Sequence, residues 1–169
     1  MRGRYVLAII GLLLSGHARA QTTTTGELEI RLLVTASCEV SGSATGGIGS
    51  ALLDFGTTSL LLEAIDGDTG TSGVDAFEVL CNPNVDYTVT FDAGQNATEV
   101  ADRAMKRTGG SELVGYQIYS DPGRSTVLTT ISGTGTGSAE AVRVYGRVPP
   151  QAAPEPGEYR DVVTATVSF

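Results

Sequence analysis

Apolar and polar residues alternate strictly near the start of the chain. Leu28, Ile30, Leu32 and Val34 share one parity, and Glu27, Glu29 and Arg31 take the other. Successive side chains of a β-strand point to opposite faces, so this pattern predicts a half-buried strand. Counted over residues 22–34 it would be roughly 43 Å long at about 3.3 Å per residue, well beyond a usual strand of about 5–6 residues. A second clean alternation sets Val85, Tyr87, Val89 and Phe91 against Asp86, Thr88, Thr90 and Asp92. A third sets Tyr159, Asp161, Val163, Ala165, Val167 and Phe169 against Arg160, Val162, Thr164, Thr166 and Ser168. Shorter strands are predicted at 52–55, 74–81, 113–119, 126–131 and 139–148. Residues 60–65 are apolar and ambiguous, while Gly-, Ser-, Thr- and Pro-rich stretches predict loops at 41–50, 66–73, 132–138 and 149–157. Asn82-Pro83-Asn84 reads as a turn. The only helical hint is a turn near 98–106, and there is no internal repeat.

Many short strands and 22 glycines predict an all-β fold, an antiparallel sandwich. An immunoglobulin-like sandwich needs about seven strands, and six or seven are predicted after Cys38. Apolar parity holds to Phe169, so Phe169 is expected to be buried and the final strand to lie inside a sheet. Nothing after it covers its outer edge, and an exposed edge beside an apolar core is an aggregation hazard. The N-terminal strand is the available cover. Pattern alone leaves two destinations open for that strand: the first strand of its own sheet, or a strand for another molecule.

Charge and cysteine content narrow the class. Arg2 and Arg4, the apolar run 6–14 and Ala18-Arg19-Ala20 predict a secretory signal peptide over 1–20, cleaved before Gln21. No later stretch is apolar for long enough to span a bilayer, so an exported chain of 149 residues without membrane insertion is expected. Losing Arg2, Arg4 and Arg19 takes its net charge from −8 to −11, which argues against nucleic acid and anionic lipid. Cys38 and Cys81, an even count in an exported chain, predict one disulfide. Its loop of about 44 residues is worth roughly 4 kcal/mol from chain entropy. The only histidine is His17, inside the signal, so the mature chain offers no His-based triad, Cys–His dyad or His-containing zinc site. No enzyme and no cofactor is expected.

Candidate sites have ordinary structural readings. Asp66-Gly67-Asp68-Thr69-Gly70 has a faint calcium-loop look, but Phe77 stands where a closing glutamate is required, so a loop is expected. Asn96-Ala97-Thr98 is read as a chance glycosylation triplet, Tyr116 and Tyr119 as packing residues, and Asp121 with Arg124 as a capped turn.

Several pieces, in order, resemble the spore coat protein U domain family, the fold of subunits in archaic (Csu-type) chaperone–usher pili. They are residues 25–32, Cys38, Leu53-Asp54-Phe55-Gly56, Val79-Leu80-Cys81 and residues 87–94. Arg103-Ala104-Met105, residues 116–121, Tyr145-Gly146-Arg147-Val148 and Pro156-Gly157-Glu158-Tyr159-Arg160-Asp161 complete the set, with Phe169 at the close. Val127-Leu128-Thr129-Thr130 stands where many members carry a Trp-Gly-type element. The resemblance implies an incomplete immunoglobulin-like sandwich (34–169) with an N-terminal donor strand (21–33). A periplasmic chaperone lends the missing strand, and at an outer-membrane usher a neighbouring pilus subunit replaces it by β-augmentation. Leu28, Ile30 and Leu32 are then the donor's pocket residues, and Val163, Ala165, Val167 and Phe169 edge the acceptor groove. The implied role is a fimbrial subunit on the cell surface, serving adhesion and biofilm formation. The competing expectation is a secreted monomeric surface or spore-coat protein that binds a ligand through its loops.

Overall fold

The computed structural model describes residues 23–42, 51–70 and 77–169. The expected signal peptide, its cleavage site and most of the 41–50 loop lie outside the described residues. The chain divides into two units, Met1–Leu33 and Val34–Phe169. In the first, residues 23–33 belong to no strand. Leu28, Ile30, Leu32 and Leu33 each leave 84–88% of their surface exposed. The alternation that predicts a strand is present, but the ladder that defines one is not.

The second unit carries twelve short strands among the described residues. They are β1 (Cys38–Gly42), β2 (Ile65–Asp68), β3 (Phe77–Cys81), β4 (Asp86–Phe91), β5 (Ala104–Arg107) and β6 (Leu113–Gly115). β7 (Gln117–Tyr119), β8 (Thr130–Thr134), β9 (Ala139–Val142), β10 (Tyr145–Val148), β11 (Tyr159–Arg160) and β12 (Ala165–Ser168) follow. Four three-stranded sheets form, in the orders β1-β3-β9, β2-β10-β7, β11-β5-β6 and β12-β4-β8. Every pairing is antiparallel.

The core follows the alternations. Phe77, Val79 and Cys81 of β3, and Tyr87, Val89 and Phe91 of β4, are buried in one apolar cluster. The Phe77 and Phe91 rings meet edge to face at 6.3 Å, joining the inner faces of two sheets. Cys38 and Cys81 face each other across β1 and β3 and form the expected disulfide. Replacing both with serine should cost about 2–5 kcal/mol, read as a lower urea midpoint; an unchanged midpoint would count against a stabilising role.

Several sequence expectations are corrected. The single strands expected at 113–119 and 139–148 are each two strands in different sheets, β6 then β7 and β9 then β10. Buried Tyr116 and Val144 mark the switches. Inward parity runs through both corners, so alternation alone cannot show that the chain has changed sheets. The loop expected at 66–73 begins with strand residues: Asp66 lies opposite Arg147 and Gly67 opposite Gly146. Loop-like composition is overridden there by cross-strand ion pairs. The loop expected at 132–138 likewise starts inside β8.

The strand expected at 52–55 is irregular. A Cβ at Gly146 would come within 2.7 Å of the Phe55 ring, and one at Gly67 within 2.9 Å of the Asp54 carbonyl. The paired glycines therefore let this segment lie directly on the β2–β10 ladder. The expected turn near 98–106 is a 3₁₀ turn at Val100–Asp102 that leads into β5.

Candidate functional site

Among the described residues β12 is an edge strand, paired with β4 on one side only and matching Ala165 to Phe91, Thr166 to Thr90, Val167 to Val89 and Ser168 to Thr88. This corrects the expectation of a final strand inside a sheet. Phe169, expected to be buried, is 62% exposed, because no strand covers that flank of the core among the described residues.

The hydrogen bonds around β4 show which groups β12 leaves free. The Phe91 N–H donates to Thr129 O on the β8 side, and the Asp92 N–H donates to Thr164 O on the β12 side. Antiparallel ladders alternate, so Thr166 and Ser168 bond inward to β4 while the N–H and C=O of Ala165 and Val167 point to the open edge. The side chains of Val163, Ala165 and Val167 are half-buried and pack against the core. The edge thus offers unpaired main-chain groups beside partly covered apolar side chains.

Other edges carry protection that β12 lacks. β2 holds Asp66 and Asp68. The β6 residue Gly115 is capped from both directions by Gln151. The β7 residue Tyr119 bridges to Val127. β8 is also uncharged, but Gly133 interrupts it, packed on the Tyr87 ring. The sequence of β12 is Ala-Thr-Val-Ser, with no charge, proline or glycine.

A polar cluster stands at the root of β12, running from the buried Arg103 and Tyr116 out to the exposed Asp92. Asp92 Oδ1 accepts from the Thr164 N–H at 2.8 Å and the Gly94 N–H at 2.9 Å. Burial opposes the Asp92 charge, but these amides and nearby Arg103 outweigh it and hold its carboxyl below the usual value. Asp161 Oδ1 accepts from the Gln95 N–H at 2.9 Å and from Asn96 Nδ2 at 2.8 Å. Asp161 Oδ2 accepts from the Tyr116 hydroxyl at 2.7 Å. Burial, reinforced by that carboxylate, pushes the Tyr116 phenol well above its ordinary value. Arg103, 1% exposed, donates to the main-chain oxygens of Asp92 and Leu128 and to Gln117.

Gly94 (φ +84°) turns the loop tightly enough that a Cβ there would fall on the Asp161 carboxylate. Gly94→Ala should therefore lower stability by about 1–3 kcal/mol in urea unfolding, and a change below ~0.5 kcal/mol would contradict the fit.

The remaining sequence candidates fall as follows. Leu28, Ile30 and Leu32 lie in the first unit, their side chains open to solvent. Tyr116 is a core residue, and Tyr119 is half-buried in β7. Asp121 caps its turn by accepting from the amides of Ser125 and Thr126, with Arg124 at φ +55°. Asn96 is engaged within the polar cluster. Asp66 is bound by Arg147, whose hydrogen bond draws its pKa below the ordinary value, and Asp68 by Arg143. The roles of Arg103, Asp161 and Gly94 were not read from the sequence. Their side chains and turn act through tertiary partners 11 to 67 positions away.

The fold and its open edge define an all-β, incomplete immunoglobulin-like sandwich. The Spore Coat Protein U domain matches residues 24–166, and the chain belongs to that family. Protein U of Myxococcus xanthus is 27% identical over 174 residues, covering 97% of this chain and 94% of that relative. The fold is also similar to a chain in the crystal structure of the CsuC–CsuE chaperone–tip adhesion subunit pre-assembly complex from archaic chaperone–usher Csu pili of Acinetobacter baumannii. That similarity has a TM-score of 0.50 at 20% identity, and covers 80% of this chain but 40% of that one.

Proposed function

We propose that this protein is a structural pilus subunit that polymerises by donor-strand complementation. The observation that carries the proposal is the edge of β12, unpaired among the described residues and flanked by half-buried Val163, Ala165 and Val167. The same chain holds a strand-patterned segment with Leu28, Ile30 and Leu32 exposed. In this reading residues 21–33 leave their own subunit and add a strand to the β12 edge of a neighbour. Main-chain bonds supply affinity, and the three aliphatic side chains fill the groove, each worth roughly 1.5–3 kcal/mol when buried. A head-to-tail contact of this kind does not close on itself, so it builds a fibre. Before assembly the open edge needs a substitute strand, the part assigned to a periplasmic chaperone. An outer-membrane usher then exchanges it for the neighbour's donor. A cleaved signal peptide over 1–20 delivers the chain to the periplasm, and the fibre serves adhesion and biofilm formation at the cell surface.

Ile30→Asp tests the reading. A carboxylate cannot enter an apolar pocket without a cost of several kcal/mol, so the variant should give no fibres by electron microscopy while remaining a folded subunit. Fibres of normal length and yield would remove Ile30 from the interface. The second reading, a monomeric surface or spore-coat protein using its loops, draws on Leu60 and Leu62, which are 52% and 74% exposed. It requires the purified protein to stay monomeric at high concentration.

A further inference from the structure

We propose that Tyr116, Asp161 and Asp92 form a clamp that holds the root of β12, so that the acceptor edge is already shaped when a donor arrives. This rests on the assembly role given above for that edge. β12 has four residues and one neighbour, and such a strand opens locally at low free energy unless its ends are fixed.

The residues before it are fixed unusually well. Asp92 grips Thr164 from both directions: its carboxylate accepts from the Thr164 N–H, and its own N–H donates to Thr164 O at 3.1 Å. Three residues earlier, Asp161 is held by the Tyr116 hydroxyl, the Gln95 amide and Asn96 Nδ2. Asn96 Nδ2 also donates to Arg160 O at 3.2 Å. Every bond in the set joins residues 160–164 to the 92–96 loop or to the core at Tyr116. None of them lies on the open edge, so a donor can bind without displacing them. These side chains are positioning residues, since they act through β12 and do not touch the incoming strand.

A populated acceptor state raises apparent affinity in proportion to its population. The test uses the full-length protein kept dilute and monomeric, compared with Tyr116→Phe and Asp161→Asn. Tyr116→Phe keeps the ring and deletes one hydroxyl; Asp161→Asn keeps the shape and one oxygen acceptor. Hydrogen exchange should quicken about tenfold at 163–168 in both variants, with β1 and β3 unchanged. A labelled peptide of residues 21–33 should bind each variant about tenfold more weakly than the parent. Uniform acceleration across all strands, or no change at 163–168, would overturn the clamp. If the parent binds no peptide at all, the assembly role fails, and the exchange pattern still decides the clamp.

Discussion

Arg103→Met is expected to cost about 3–5 kcal/mol of unfolding free energy, the largest effect of any single substitution considered for this chain. The guanidinium is buried and donates to Asp92 O at 2.7 and 3.1 Å, to Leu128 O at 3.2 and 3.3 Å and to Gln117 Oε1 at 2.6 Å. Burial pushes its pKa below the ordinary value, and Tyr116, Asp92 and Asp161 push back. Methionine keeps much of the volume and removes every donor. The buried Leu128 carbonyl and the part-buried Asp92 carbonyl then lose their guanidinium partner, each at about 1–3 kcal/mol, while Gln117 Oε1 keeps the Ile118 N–H. For a domain of this size the thermal midpoint should fall by roughly 10–15 °C. Arg103→Lys, with a compact ammonium in place of the fork, should fall between the two. A loss below ~1 kcal/mol in Arg103→Met would mean that water or rearrangement satisfies those carbonyls.

The clear alternations carried most of the fold. β4 sits where its pattern placed it, the closing alternation over 159–169 divides into β11 and the edge strand β12 in different sheets, and Cys38 and Cys81 form the expected disulfide. What escaped was whatever depends on the partner across the sheet. Residues 66–68 read as a loop until Arg147, opposite Asp66, and Arg143, reaching Asp68, pair with their aspartates. Tyr116 and Val144 look like mid-strand residues because side-chain parity passes through a sheet switch unaltered. Phe169 has the parity of a core residue, yet parity states only which face a side chain takes. Whether that face is covered depends on a neighbouring strand.

The candidate edge was half legible. Val163, Ala165 and Val167 share a face that the alternation identifies, and the structure packs them against the core. The bonds that fix the root of that strand join Asp92 to Thr164 and Tyr116 to Asp161, separations that no local pattern encodes. The segment around Leu28, Ile30 and Leu32 is the reverse case. Its sequence is written for a strand, while residues 23–33 belong to no strand among the described residues.

Complementation in trans tests this assignment most directly. The body, residues 34–169, would be produced alone and then mixed with a peptide of residues 21–33. The body should aggregate or melt early, because the β12 edge and its half-buried flank stay open. At about 100 times its dissociation constant the peptide should add roughly 2.7 kcal/mol and raise the thermal midpoint by roughly 5–10 °C. Peptide amides should become protected from hydrogen exchange together with those of Ala165 and Val167. A peptide carrying Asp at the Ile30 position should do neither. A body that is stable and monomeric alone, with a melting curve the peptide leaves unmoved, would contradict donor-strand complementation by this segment.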